Sequence, residues 1–384
     1  MYQLMGLGSG NNETVSSYHE FTVAASSNSG NLLFNYALEK IVTLTPEKYK
    51  WSTLSQVIND AGHNLLIPMA NNIGPHTDIS LAGPKVDGVK VNSVVMGIGA
   101  QFSLTDDIAQ ASKKVPQGTK EWLSKVAKMS KEVNISVRGK TTKAYFEEIG
   151  LGDKVEVLGC PSHLISNDLE LGQTLKHKIS ALDEQSLYAG VAVTAGNPHQ
   201  PNLAKLEKYF IGLLNQYSGS FIVQSPKSLI CLAEGWLQSI EQSDIDMIQH
   251  AWFPELSYDE MIQWLRKFSR TYISIPQWFR DISKFELVVG SRIHGCQLGV
   301  QSGVPSICMY IDSRTKELCE TMHLPALNAR EFQSAPSTDK MFELLQGWDW
   351  DRYDENRHSL AQRTLTFLEK NGVSPSPHLY KFNR

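Results

Sequence analysis

The segment Val288-Val289-Gly290-Ser291-Arg292-Ile293-His294-Gly295 sets a guanidinium and an imidazole two residues apart, where an apolar run gives way to a helix-like one. Residues two apart in an extended chain point to the same side. A helix beginning here adds free backbone N–H groups and the positive end of its dipole, a ready anion site. Arginine supplies a planar fork that matches phosphate or carboxylate bidentately. Histidine supplies a group that donates or accepts a proton near neutral pH. Arg292 and His294 are therefore the expected chemical pair, with Ser291 and Gly295 lining the same site. An exposed arginine beside a histidine satisfied in the core is the plainer alternative, and this junction alone leaves it open.

Other junctions offer companions. Tyr310-Ile311-Asp312-Ser313-Arg314 ends the next apolar run with an acid and a base, so Asp312 and Arg314 could face the same ligand. The competing reading makes Asp312 a helix N-cap and Arg314 a surface residue. Arg138, in Ser136-Val137-Arg138-Gly139, could bring a second cation from the first half. The loop Asn28-Ser29-Gly30-Asn31 precedes a helical pattern, and Asn28, Gly30 and Asn31 could cradle a phosphate or sugar hydroxyls. It lacks the lysine of a phosphate-binding GxxxxGK[ST] loop, and Gly97-x-Gly99 is too short for a dinucleotide fingerprint. In Gly159-Cys160-Pro161-Ser162-His163, Ser162 is a candidate contact, Pro161 shapes the loop and Cys160 packs. A nucleophilic cysteine is disfavoured, because neighbours in sequence rarely form a dyad. The histidines show no HxxxH or HxH spacing, and the pairs Asp244-x-Asp246 and Asp349-x-Asp351 follow no strand, so no metal site is expected.

These junctions need a scaffold, and the chain alternates strand-like and helix-like segments almost throughout. Strands are expected at 64–70, 93–97, 134–137, 154–158, 187–194, 220–223, 271–274, 285–289 and 306–310, with helices between them. Strands separated by helical patterns of 10–15 residues imply parallel pairing. The polar stretch Ser166–Gln185 breaks the rhythm and reads as a linker or the start of a second unit. The expected fold class is α/β: two Rossmann-like domains, residues 1–170 and 171–350, whose parallel sheets face a central cleft. The helices of 351–384 are expected to pack back on the first domain. Open parallel sheets hold ligands at the carboxyl ends of their strands.

Composition narrows the function. The chain has 384 residues, within reach of two domains at ~100–200 residues each. Its net charge of −4 argues against binding a nucleic-acid backbone, which takes a basic surplus. Five scattered cysteines form no CxxC pair. Met1–Glu20 has no basic, apolar leader pattern, and no window approaches the ~20 apolar residues of a membrane span. A cytoplasmic protein without a transmembrane segment is the expectation.

Taken in order, the junctions resemble those of the polysaccharide pyruvyl transferase family. The resemblance runs from about Asn28 to Met322 and rests on Ser136-Val137-Arg138, Val155-Glu156-Val157-Leu158-Gly159-Cys160-Pro161-Ser162, Val288-Val289-Gly290-Ser291-Arg292-Ile293-His294, Gly303-Val304-Pro305 and Tyr310-x-Asp312. It implies a two-domain fold like that of GT-B glycosyltransferases. It also implies transfer of the pyruvate unit of phosphoenolpyruvate to a sugar diol as a ketal, with phosphate released and neither cofactor nor metal. On that basis the first domain is the acceptor side and the second the phosphoenolpyruvate side. Arg292 and Arg138 would hold the donor's phosphate and carboxylate, and His294 would protonate its methylene carbon. The acceptor is a sugar or glycan, free, lipid-linked, nucleotide-linked or polymeric; a lipid-linked one would bring the protein to the inner membrane face. The chain departs from the family pattern in having Asn31 where an aspartate is frequent, and Arg314 where many members have lysine. Two other functions compete: a GT-B glycosyltransferase using a nucleotide sugar, and a non-catalytic glycan-binding relative.

Overall fold

The structure is a computed structural model that describes residues 1–6 and 14–383. Twelve strands form two sheets of six, and all their pairings are parallel. The first sheet takes β1 (Tyr2–Met5), β2 (Lys48–Tyr49), β3 (Asn64–Pro68), β4 (Ser93–Ile98), β5 (Ile135–Val137) and β6 (Val155–Val157), in the order β2-β1-β3-β4-β5-β6. The second takes β7 (Val191–Ala195), β8 (Gly219–Val223), β9 (Ser269–Arg270), β10 (Leu287–Gly290), β11 (Ser306–Tyr310) and β12 (Ala326–Asn328), in the order β12-β11-β10-β7-β8-β9. The chain reverses its direction of travel across each sheet once, between β1 and β3 in the first and between β7 and β10 in the second. At such switch points the loops part and leave a crevice. This is the expected α/β architecture of two Rossmann-like halves around a cleft.

Period-two alternation in the buried strands explains how the halves are joined. In the first sheet Met5, Leu65, Ile67 and Val95 face an outer core with Trp122, Tyr145 and Phe146. Their neighbours Leu4, Leu66, Val94 and Met96 face the other way, onto the helix Gly30–Ile41. That second core runs on without a break through Leu158, Cys160 and Leu164 into Ile293, Met322 and the strands of the second sheet.

The end of the chain returns to the first sheet. Helix Trp350–Lys370 lies against Leu171–Ser180, and its buried Arg357 donates to the carbonyls of His163, Ser166 and Asp168. Beyond it, Thr43 N–H donates to Ser374 and Ser376 N–H to Ile41.

Several segments differ from the sequence expectation, among them the short edge strands β2 and β12, which were not expected. The opening strand Tyr2–Met5 was not expected, because Gln3 interrupts a run of only four residues. The polar stretch after Ser166 is not a bare linker, since it folds into helix Leu171–Ser180 with Leu171, Leu175 and Ile179 on its buried face. The strand expected at 271–274 is the two-residue β9 just before it.

Candidate active site

The loops after β4, β5, β10 and β11 converge on the seam between the halves. Arg138 follows β5 and is 0% exposed. Its Nε donates to the Gly97 carbonyl at 2.8 Å, and its guanidinium carbon lies 6.0 Å from the Phe34 ring centroid. Neither Nη1 nor Nη2 has a partner among the described residues. The arginine fits only because Gly99 has no side chain, since a Cβ there would come within 2.6 Å of Arg138 Cδ. Burial lowers the guanidinium pKa to about 10, and neighbouring Arg314 adds to that, while Cys160, Glu317 and Asp312 oppose it.

His294 stands in the first turn of helix Ile293–Gln301, which β10 feeds. Its Nε2 lies 3.9 Å from Cys160 Sγ. Its Nδ1 points toward Gly30, where a Cβ would come within 2.7 Å of Gln224 Oε1 and 2.8 Å of this nitrogen, so a larger residue here would push both side chains aside. Burial pushes the imidazole pKa down to about 3, and the charges of Arg138 and Arg314 push the same way. His294 is thus a neutral ring in a positive field. Arg314 contributes to that field at Arg138, Arg292 and His294 alike. It pairs loosely with Asp312, Nη2 to Oδ2 at 3.5 Å, and its Nε is buried without a partner.

Several expected residues have other roles in the structure. Arg292 caps its helix, and its Nη2 donates to the carbonyls of Gly196 at 2.6 Å and Ser225 at 3.3 Å. It braces the β7/β10 switch point, and its buried Nε has no partner among the described residues. Ser291 is held in the same brace: Asn197 Nδ2 donates to Ser291 Oγ at 2.8 Å and to buried Glu207 at 2.9 Å. Gly295 lies against Thr194, where a Cβ would collide with the threonine side chain. Ser162 is fully buried and donates to Cys160 Sγ at 3.0 Å, so it is packing and not a ligand contact. Asp312 is a helix N-cap, accepting from Thr315 N–H and Oγ–H at 2.8 Å each; its carboxylate is engaged and cannot serve as a free contact. Asn28 turns inward and accepts from Gly30 N–H at 2.9 Å, which orders the loop and takes up its side-chain oxygen. Asn31 remains at a cavity wall.

Sequence reading missed Glu317. This carboxylate, on helix Ser313–Thr321, crosses the seam and accepts from Thr142 N–H at 2.9 Å and Thr142 Oγ–H at 2.5 Å. Burial raises its pKa to about 7 against those bonds and Arg138. Beside it Phe102 and Ser313 exchange hydrogen bonds across the seam. A mid-helix glutamate carries no sequence signal that separates it from a surface charge. Gln224 was missed too: its carbonyl accepts from Ser29 N–H at 3.2 Å, and its Nε2 is buried without a partner, as is Ser29 Oγ. Among the described residues no three His, Cys, Asp or Glu side chains gather as metal ligands, and no helix is long and apolar enough to cross a membrane.

The seam therefore concentrates buried donors that lack acceptors among the described residues: two nitrogens of Arg138, Nε of Arg292 and Arg314, Ser29 Oγ and Gln224 Nε2. Buried donors without partners are disfavoured unless a ligand or water completes them. An anion is the ligand that this set fits.

A family model described as polysaccharide pyruvyl transferase matches residues 28–313. No curated protein is significantly similar to the chain in sequence. Among solved structures, UDP-GlcNAc 2-epimerase from Methanocaldococcus jannaschii in complex with UDP-GlcNAc and UDP aligns with 96% of this chain and 100% of its own, at 12% identity and a TM-score of 0.46. The S. aureus MnaA-UDP co-structure aligns with 96% of this chain and 98% of its own, at 10% identity and a TM-score of 0.44. A glycosyltransferase from Rickettsia africae aligns with 93% of this chain and 84% of its own, at 10% identity and a TM-score of 0.39.

Proposed function

The chain belongs to the polysaccharide pyruvyl transferase family, and from that premise we propose that it moves the pyruvate unit of phosphoenolpyruvate onto a sugar diol as a cyclic ketal, releasing phosphate. The observation that carries this reading is the fully buried Arg138, whose two terminal nitrogens have no partner among the described residues while Arg314 and His294 share its surroundings. Phosphoenolpyruvate carries its carboxylate and its phosphate ester on the same carbon. Two guanidiniums from opposite sides of the seam match both groups, and the planar fork allows bidentate contact.

Binding such a donor would reverse the electrostatics around His294. Burial first, and the charges of Arg138 and Arg314 second, hold the imidazole neutral; the donor's negative charge would oppose that push and favour its protonation. Protonated His294 then delivers its proton to the methylene carbon, leaving the adjacent carbon electron-poor. A sugar hydroxyl attacks that carbon and its proton returns to His294. The carbon–oxygen bond to phosphate breaks, with Arg138 and Arg314 stabilising the developing charge. A second hydroxyl closes the ring, and its proton leaves with phosphate or water. Donor plus diol thus give ketal plus phosphate, with no covalent enzyme intermediate. Arg292 acts as a positioning residue, because its bonds to Gly196 and Ser225 fix the loop that presents His294.

Thermal unfolding with phosphoenolpyruvate beside a panel of UDP-, GDP- and CMP-sugars tests the donor. The expected result is a rise of several degrees with phosphoenolpyruvate alone, absent in Arg138→Ala. A rise only with a nucleotide sugar would replace this reading with glycosyl transfer.

A further inference from the structure

We infer that the switch point of the first sheet is the seat of the acceptor, and that the sugar residue it takes is uncharged. A cavity of about 200 Å³ opens there, beyond the carboxyl ends of β1 and β3. That is the crevice in which an open parallel sheet places its ligand. It is smaller than the ~300–1,000 Å³ of pockets for drug-sized ligands, which suits one sugar ring and not an oligosaccharide.

Its walls differ in kind from the donor seam. They include Ser26, Asn31, Phe34, Trp51, Asn71 and Asn72, and no charged side chain among the described residues. Three of these amides are anchored at one end only. Asn31 Nδ2 donates to the Ala25 carbonyl at 3.2 Å, Asn71 Nδ2 to Gln101 Oε1 at 2.7 Å, and Asn72 Oδ1 accepts from Ala70 N–H at 2.7 Å. Their other ends, two carbonyl oxygens and one NH₂, have no partner among the described residues. Acceptors and a donor held in place by bonds at the opposite end are what a set of sugar hydroxyls needs. Trp51, fixed by its Nε1–H to the Met5 carbonyl at 3.3 Å, supplies an aromatic surface beside them. A phosphate or carboxylate here would meet no cation among the described residues that line the cavity.

The cavity also adjoins the reacting centre. Asn31 follows Gly30, which lies against His294 Nδ1, and Phe34 is shared between this cavity and Arg138. A hydroxyl pair on a sugar seated here would point across Gly30 toward the imidazole. The acceptor role rests on the pyruvyl-transfer reading, whereas the binding of a neutral sugar does not.

Saturation-transfer NMR on the whole chain separates the two. The probes are methyl β-glycosides of a neutral hexose and of an N-acetylhexosamine, beside a methyl hexuronide and a hexose 6-phosphate. The expected result is transfer to the neutral glycosides only. It should weaken about tenfold in Asn71→Ala and in Asn72→Ala, the loss of about one hydrogen bond. Both variants should keep the wild-type thermal response to phosphoenolpyruvate, which shows that they are folded and that the donor seam is intact. No transfer to either neutral glycoside, transfer that survives both substitutions, or preference for the charged sugars would overturn the inference. Neutral-sugar binding lost in the variants, in a protein indifferent to phosphoenolpyruvate, would support the pocket and remove only the donor reading.

Discussion

Replacing Arg138 by methionine should make the empty protein more stable while abolishing its response to phosphoenolpyruvate. Burial moves the guanidinium from an ordinary value of 12.5 to about 10. At about 1.4 kcal/mol per pH unit, the charged form is roughly 3 kcal/mol worse off in the fold than in water. Because the folded value is the depressed one, that penalty is present in full at all pH values below about 10 and eases only above it. Methionine fills similar space against Phe34 and Gly99 and carries no charge. Exchanging a buried ion for an apolar residue of like volume is often neutral or stabilising. Against this, the Gly97 carbonyl loses the Nε–H donor, a loss of about 1–3 kcal/mol. The balance is a gain of up to about 2 kcal/mol. Urea unfolding at pH 7.5 reads the first effect, and the same titration with phosphoenolpyruvate reads the second. At about a hundred times its dissociation constant, donor should stabilise the wild type by ~2.7 kcal/mol and the variant not at all. A variant less stable than wild type by more than about 1 kcal/mol, or one that still responds to the donor, would refute the claim that Arg138 is an orphaned cation kept for an anion.

The remaining predictions concern protons and the seam. His294→Gln should retain the thermal response to phosphoenolpyruvate while phosphate release falls ~10²–10⁴-fold; an unchanged turnover would remove His294 from the chemistry. Since burial and two neighbouring cations hold His294 down to about 3 and the donor's negative charge would favour the imidazolium, binding should take up protons at pH 6–7 and weaken as pH rises. Calorimetry in buffers of different ionisation enthalpy checks this, and an enthalpy independent of buffer would contradict it. Glu317, raised from 4.5 to about 7, favours the fold when protonated: its contribution is complete below about 4.5 and is lost as pH climbs through 7. Urea midpoints should therefore fall between pH 5 and 8.5 by the equivalent of up to about 3 kcal/mol in wild type and much less in Glu317→Gln. Parallel profiles would show that the carboxyl does not titrate there.

The sequence made the strand-to-helix junctions readable because parallel sheets confine ligand-binding loops to one edge. Arg138, Arg314 and His294 follow β5, β11 and β10, and the seam brings all three within reach of one another's charge. What a junction could not disclose was where each side chain finds its bonds. Arg292 and His294 look equivalent in an extended reading, yet two carbonyls from other loops capture the arginine. Ser162 and Asp312 sit at plausible positions but satisfy themselves locally, on Cys160 and on Thr315. The amides of the β1/β3 cavity were silent for a different reason. Asparagine in a loop is ordinarily a turn former, and only the fold brings Asn31 together with Asn71 and Asn72.

The apolar core that passes from the first sheet through helix Gly30–Ile41 into the second bears on how the molecule moves and melts. Two-domain enzymes that close on their substrates need an interface that parts at little cost, and polar, modest interfaces permit this. Here parting would strip Leu158, Leu164, Ile293 and Met322 of their packing and leave Glu317 without Thr142. The seam behaves as a weld more than as a hinge. On the proposed function, the anion site would then be in place before the donor arrives, with no swing of the halves needed to assemble it. Heat should not melt one half while sparing the other: calorimetry should trace a single cooperative peak, with both sheets lost together.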